Sequence, residues 1–258
     1  MSDAADWVLT PPEGMADDGR PRLFCLPHAG GDTVEYQPWA QLLAPRAEVL
    51  PVVLPGRGKR YREAHATNLR QLTEALVEGL MPLTDAPFAF FGHSLGAVLA
   101  FETARELSRR GRPPLLLIAS ASPPPHRAAE RPGDRHLLPD AEFLNAVVEA
   151  GGTSPEVLEE PELLRLVLPR LRADYTMAET YRYTGGGPPL PCPVRSYAGR
   201  HDGMLRGGAL EEWAHVSAQE TAPPRMFPGG HFYLEECRPA VLAAIRQDLA
   251  AALDSGQR

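Results

Sequence analysis

Ser94 lies in Gly92-His93-Ser94-Leu95-Gly96, directly after the apolar run Phe88-Ala89-Phe90-Phe91 and ahead of a helix-like pattern. A serine held on a sharp turn between strand and helix presents its hydroxyl as a nucleophile. The flanking glycines suit the turn, because a Cβ at either place would collide with neighbouring backbone. A helix that opens just after the serine puts partial positive charge where an oxyanion would form. Serine is a poor nucleophile at neutral pH, so it needs a base, and the base needs an orienting acid. With this motif the acid and then the histidine follow the serine along the chain. Asp202 and His231 meet that order. Each follows an apolar segment, on the side where a parallel sheet gathers its functional loops. The chemistry expected of Ser94, His231 and Asp202 is acyl transfer to water through an acyl-serine.

The competing residues fit less well. His93 adjoins the serine and should point away from its hydroxyl, His28 belongs to a glycine-rich loop, and His201 stands beside the proposed acid. Asp85 precedes the serine and is out of order. Asp174 and Glu179 fall in a helical stretch and are expected to face solvent or lid contacts. A second oxyanion donor is expected in Pro27-His28-Ala29-Gly30-Gly31, a small loop right after the apolar run Arg22 to Leu26. The backbone N–H groups of Ala29 and Leu95 would form the hole.

Apolar strand patterns at 22–26, 48–54, 87–91, 114–121, 193–198 and 224–227 must position these residues. Pro51 favours an edge or a bulge for the second of them. Helical patterns occupy 36–43, 68–81, the stretch after Ser94, a short segment at 209–214 and the tail from Pro239. Trp7-Val8-Leu9 fits a further short strand. Apolar strands alternating with amphipathic helices predict an α/β fold, with a mostly parallel sheet covered by helices on both faces. From about 122 to 190 the alternation gives way to helix signals. Asp140 is expected to cap one helix, and Ser154-Pro155 and Glu160-Pro161 to open others. Pro169 should kink or split the last. This insertion is either a moving lid, with Gly185-Gly186-Gly187-Pro188-Pro189 as its hinge, or a static subdomain that shapes the pocket.

At 258 residues the chain suits one domain, 1–258, carrying that insertion. A net charge of −7 argues against a nucleic-acid or membrane surface. No signal-peptide pattern opens the chain, and no apolar run approaches a membrane span. Three widely spaced cysteines (Cys25, Cys192, Cys237) suggest buried thiols in a reducing compartment, not disulfides or a metal site. A cytoplasmic, monomeric enzyme without metal or cofactor is expected.

Several segments together resemble the stand-alone type II thioesterases of polyketide and non-ribosomal peptide assembly lines. They are Leu26-Pro27-His28-Ala29-Gly30-Gly31, Leu54-Pro55-Gly56-Arg57-Gly58, Phe91-Gly92-His93-Ser94-Leu95-Gly96-Ala97, Gly151-Gly152-Thr153 with Pro155-Glu156-Val157-Leu158, Leu171-Arg172-Ala173-Asp174-Tyr175 with Glu179-Thr180-Tyr181, and Gly229-Gly230-His231-Phe232-Tyr233-Leu234. The resemblance covers about residues 22–240. Leu95 stands where many members have Met, a change that leaves the backbone donor in place. The resemblance implies an α/β-hydrolase fold and an acyl group thioester-linked to the phosphopantetheine arm of a carrier protein. It implies an editing role that removes aberrant or stalled acyl units, with acyl or peptidyl carrier protein domains as partners. Because carrier proteins are often acidic, Arg57, Lys59, Arg60 and Arg62 are candidates for docking. A general carboxylesterase or lipase with the same triad is the alternative activity, and a hydrolase fold used only for binding is a third reading.

Overall fold

The computed structural model describes residues 4–9, 19–130, 133–151, 160–205 and 208–256. Six strands form one sheet: β1 (Arg22–Leu26), β2 (Glu48–Pro51), β3 (Phe88–His93), β4 (Leu116–Ser120), β5 (Val194–Gly199) and β6 (Arg225–Phe227). Their order is β2-β1-β3-β4-β5-β6, and every neighbouring pair runs parallel. The chain moves outward from β1 to β2, then returns to place β3 on the other side of β1. Connections that diverge in this way open a crevice at the carboxyl ends of β1 and β3. Pro51 ends an edge strand, where its missing N–H is tolerated.

The strand sequences explain the two layers. Side chains alternate along a strand, so one set meets each face. Phe24, Leu26, Phe88 and Phe90 pack beneath helices α3 (Leu69–Leu80) and α4 (Leu95–Arg109). Leu23, Cys25, Ala89 and Phe91 face Trp39 and Leu43 of helix α2 (Gln37–Leu43) and Val241 and Ile245 of helix α7 (Arg238–Gly256). Helix α3 starts where the Asn68 side chain accepts the Gln71 N–H, and it buries Leu69, Leu72, Leu76 and Leu80, spaced three or four apart on one stripe. Helix α4 stops at Gly111, whose φ of 77° lets Arg112 N–H reach back to the Leu107 carbonyl.

The N-terminal expectation is met in part. Trp7 ends a single helical turn, α1 (Ala4–Trp7), and Val8 forms one antiparallel bridge with Val52, flanked by the Leu9 N–H on the Pro51 carbonyl and the Val53 N–H on the Trp7 carbonyl. The indole of Trp7 packs against Gly79.

Between β4 and β5 the described residues hold helices α5 (Asp140–Glu149) and α6 (Pro161–Thr180) and no strand of the sheet. Phe143, Leu144 and Val147 pack on Leu171 as a small separate core. Pro139, not Asp140, takes the cap position of α5; Asp140 falls in its first turn, where a carboxylate suits the helix dipole. Pro169 does not split α6. Its ring removes one backbone hydrogen bond, but the turns beyond it are held by buried Leu171, Ala173, Asp174 and Met177. Leu163 is exposed, whereas Leu164, Val167 and Leu168 turn onto the small core. Ser154-Pro155 and the neighbouring Gly152-Thr153 and Pro155 to Leu158 lie outside the described residues.

Candidate active site

The elbow is built by close backbone contact. A Cβ on Gly92 would lie 2.1 Å from the Gly96 carbonyl oxygen, and one on Gly96 would lie 2.3 Å from the Leu26 oxygen. Helix α4 therefore begins pressed against the end of β1. Ser94, between them, has φ 54° and ψ −114°, a conformation that costs energy in any residue with a side chain. Its N–H is anchored to the Ser120 carbonyl of β4 at 2.8 Å. The strained turn sets the serine at the cavity, ahead of the first turn of α4.

Asp202 and His231 come from the loops after β5 and β6. Gly199 allows their meeting, since a Cβ there would be 2.0 Å from the Gly230 oxygen. The His201 N–H donates to the Gly229 carbonyl at 2.9 Å, zipping the two loops together. His201, uninterpreted from sequence, thus contributes through its backbone. The Asp202 carboxylate accepts a hydrogen bond from His231 Nδ1–H at 2.8 Å through one oxygen and from the Met204 N–H at 2.9 Å through the other. Both side chains are buried. The Nδ1–H tautomer that this bond selects leaves Nε2 as the basic nitrogen of His231.

The loop after β1 closes as a turn, with Gly31 N–H on the His28 carbonyl at 2.9 Å. His28 Nδ1 lies 2.9 Å from the Ala29 oxygen, and its Nε2 is 3.1 Å from Glu35. Burial disfavours the charged form of His28, but the Glu35 carboxylate outweighs it and the pKa is raised. His93 behaves oppositely. It is fully buried, bonded through Nδ1 to Ser120 Oγ at 2.8 Å, and Ser120 in turn meets the Tyr233 hydroxyl at 2.7 Å. Burial first, then the neighbouring His231 and His28, hold its pKa well below the usual histidine value. His93 is thus a neutral structural imidazole with its Nδ1 committed to Ser120.

Ser94, Leu95, Ala29 and His231 line one cavity of about 270 Å³, walled further by Tyr175, Ala178 and Glu179 of α6. The fold thus brings four of the five expected residues to one surface, and Asp202 reaches it through His231. It also corrects two expectations. Asp174 does not face solvent: it is completely buried, accepting Gly30 N–H at 2.7 Å and an Arg57 N–H at 2.7 Å. Glu179, by contrast, makes the expected contact within the insertion, buried against His136. The signal for Asp174 was its place three residues after Leu171, in register with an apolar stripe. Finally, the basic loop turns inward. Arg57 is buried on Asp174, and Arg60 is buried over the Trp7 ring at 3.8 Å and paired with Glu63. Lys59 donates to the Ala5 and Val8 carbonyls. Only Lys59 and Arg62 keep an exposed surface, so the four do not form a docking patch.

Cys25 and Cys192 are buried free thiols, and burial pushes Cys192 up to about 12; Cys237 is only half-buried. The fold also brings the ligand atoms of His126, Glu212 and His215 within 4.8 Å of one another, His126 joining Glu212 across 86 residues of chain. There the Glu212 carboxylate is already engaged by His126 and the Arg127 guanidinium.

Residues 21–249 match the family model described as a thioesterase domain. The chain is 40% identical over 220 residues to the thioesterase PikA5 of Streptomyces venezuelae, covering 83% of this chain and 76% of that protein. It is 36% identical over 219 residues to the gramicidin S biosynthesis protein GrsT of Aneurinibacillus migulanus, covering 84% of each. Among solved structures, the type II thioesterase BorB from the borrelidin biosynthetic cluster superimposes with a TM-score of 0.85 at 39% identity. That match covers 96% of this chain and 99% of BorB. The α/β-hydrolase fold expected from the resemblance is the one shared with BorB.

Proposed function

The chain belongs to the thioesterase domain family, and on that premise we propose that it hydrolyses acyl groups held as thioesters on the phosphopantetheine arm of carrier-protein domains. Its role is editing: it clears aberrant or stalled acyl units from a polyketide or non-ribosomal peptide assembly line. The relatives named for such pathways support this reading.

The observation that carries the chemistry is the 2.8 Å bond from His231 to Asp202, in loops that meet beside the strained Ser94 turn. His231 Nε2 takes the Ser94 hydroxyl proton as Oγ attacks the thioester carbon. The Leu95 and Ala29 N–H groups receive the oxyanion. The C–S bond breaks, the thiolate leaves and takes the proton from Nε2, and an acyl-serine remains. Water then attacks the acyl carbon as His231 takes its proton, the C–O bond to Ser94 breaks as His231 returns that proton to Oγ, and the acid is released. Asp202 keeps the imidazole in the required tautomer and stabilises its cation. A thiol is a better leaving group than an alcohol, so little is asked of His231 as an acid. The substrate arm belongs to the partner and the chain's own residues supply every proton transfer. We place the enzyme in the cytoplasm, where Cys25 and Cys192 stay reduced.

The test is a panel of acyl-carrier thioesters beside matched oxygen esters, with the acyl-enzyme followed by intact mass. Rapid thioester turnover and a Ser94-linked acyl mass are expected, and both should vanish in Ser94→Ala. A strong preference for the esters would point instead to a general carboxylesterase.

A further inference from the structure

Resting on the thioesterase reading above, we propose that Asp174 and Arg57 are positioning residues that fasten the oxyanion loop to helix α6, so that the insertion sets the aim of the Ala29 N–H. Neither residue touches the cavity that holds Ser94.

The loop after β1 offers two successive backbone donors, on Ala29 and Gly30. A carbonyl oxygen in the site needs a donor whose direction does not drift, because only a preorganised dipole stabilises charge without reorganising. Asp174 removes the ambiguity. One carboxylate oxygen takes the Gly30 N–H at 2.7 Å, so the Ala29–Gly30 peptide is turned toward α6. The other oxygen takes Arg57 Nη2 at 2.7 Å, and Arg57 Nη1 donates to the Gly31 carbonyl at 2.9 Å. Two loop peptides are thus held from two sides by one ion pair whose side chains are 1% and 2% exposed. Gly30 has φ 81°, and a Cβ there would sit 2.4 Å from Leu171 Cδ2, one helical turn before Asp174. The loop is pressed on the same face of α6 that binds it.

A buried pair of this kind is a poor way to gain stability, since desolvation offsets much of the attraction. It is a good way to fix geometry, as charge-assisted hydrogen bonds are short and directional. A role in aiming the loop explains why a carboxylate and a guanidinium are kept here. The consequence for the insertion is that the part of α6 from Leu171 onward works as a wall of the site and not as a swinging flap.

The test compares Asp174→Asn, Asp174→Ala and Arg57→Gln with wild type and with Ser94→Ala. Asparagine can still accept the Gly30 N–H but cannot balance Arg57. Losing one oxyanion donor costs about 10²–10³ in kcat, so Asp174→Ala should lose on the order of 10²-fold. The asparagine variant should lose about tenfold, consistent with keeping one of the two contacts. KM should stay within about twofold, because the cavity lining is untouched. Phosphonylation of Ser94 by a fluorophosphonate, whose oxygen enters the same hole, should slow in proportion to kcat. Active-site titration gives the folded fraction, and rates are taken per titrated site. Unchanged kcat per site in folded Asp174→Asn, with Ser94→Ala inactive, overturns the positioning role and leaves the thioesterase reading standing. A fall that disappears on normalising to titrated sites also overturns it. If Asp174→Ala does not fold, the asparagine and Arg57→Gln variants decide. An active Ser94→Ala would instead remove the reading on which the proposal rests.

Discussion

Replacing Gly96 by alanine should damage catalysis far more than it damages the fold. The added Cβ would lie 2.3 Å from the Leu26 oxygen and 2.7 Å from both the Leu26 carbon and the Pro27 oxygen. All three are backbone atoms, so no side chain can rotate out of the way. Bringing the nearest contact to about 3.0 Å requires about 0.7 Å of separation between the start of α4 and the end of β1. Overpacking of this size costs about 1–3 kcal/mol. At about 2–4 °C per kcal/mol for a chain of this length, Tm should fall by several degrees while the protein stays folded. The site fares worse, because Leu95 rides on the helix and Ala29 on the loop that leaves β1. Misplacing aligned groups by about 1 Å costs about 10² in rate. The expected kcat loss is therefore on the order of 30- to 100-fold with KM little changed. Steady-state turnover of an acyl-carrier thioester and a thermal melt on the same sample supply both numbers. Gly203→Ala is the control: the glycine borders the cavity, but nothing lies within 4 Å of its Cβ position. Gly96→Ala with wild-type kcat and Tm would refute the claim that this contact sets the spacing of the two proposed oxyanion donors, Ala29 and Leu95.

Asp202→Asn should leave the fold intact and lower kcat by about 10⁴, because an amide no longer enforces the Nδ1–H tautomer of His231; stopped-flow acylation kinetics check this, and a loss under tenfold would contradict the assigned role. The His28–Glu35 pair should stabilise the protein most in mildly acidic solution. His28 is raised above the ordinary 6.5, so its share is complete below 6.5 and fades as pH climbs through the raised value. Glu35 is both opposed by burial and lowered by His28, so its share is present above 4.5 and fades as pH falls through the lowered value. The Tm difference between wild type and Glu35→Gln should therefore be largest near pH 5–6 and shrink above neutrality; a difference constant from pH 5 to 9 would contradict the pairing. Gly111→Ala should cost about 1 kcal/mol through its positive φ, since its surroundings are open, and leave kcat unchanged; paired melts and turnover assays test both halves.

The parts of the site that could be read from the chain are those carried by local rules. Gly92 and Gly96 announce a tight turn, the order of Ser94, Asp202 and His231 announces their partnership, and Gly229-Gly230 announces a close loop. The strand–helix alternation announced the parallel sheet for the same reason: period and turn chemistry act over a few residues. Local preference was overridden by packing at Trp7, which became a helix end against Gly79, and Pro169 did not split its helix, whose later turns are buried.

By itself, then, the sequence determined the parallel sheet and named Ser94, His231 and Asp202 as the candidates to attack, accept a proton and orient the base from loops at one end of it. Only the tertiary structure decided what surrounds them. It made His93 a neutral buried imidazole, turned Arg57 and Arg60 inward, and set Asp174 on the loop after β1 across 144 residues of chain. Contacts at that separation leave no trace in periodicity or turn signals. A charged side chain reads as solvent-facing until the fold supplies the one partner that makes its burial tolerable.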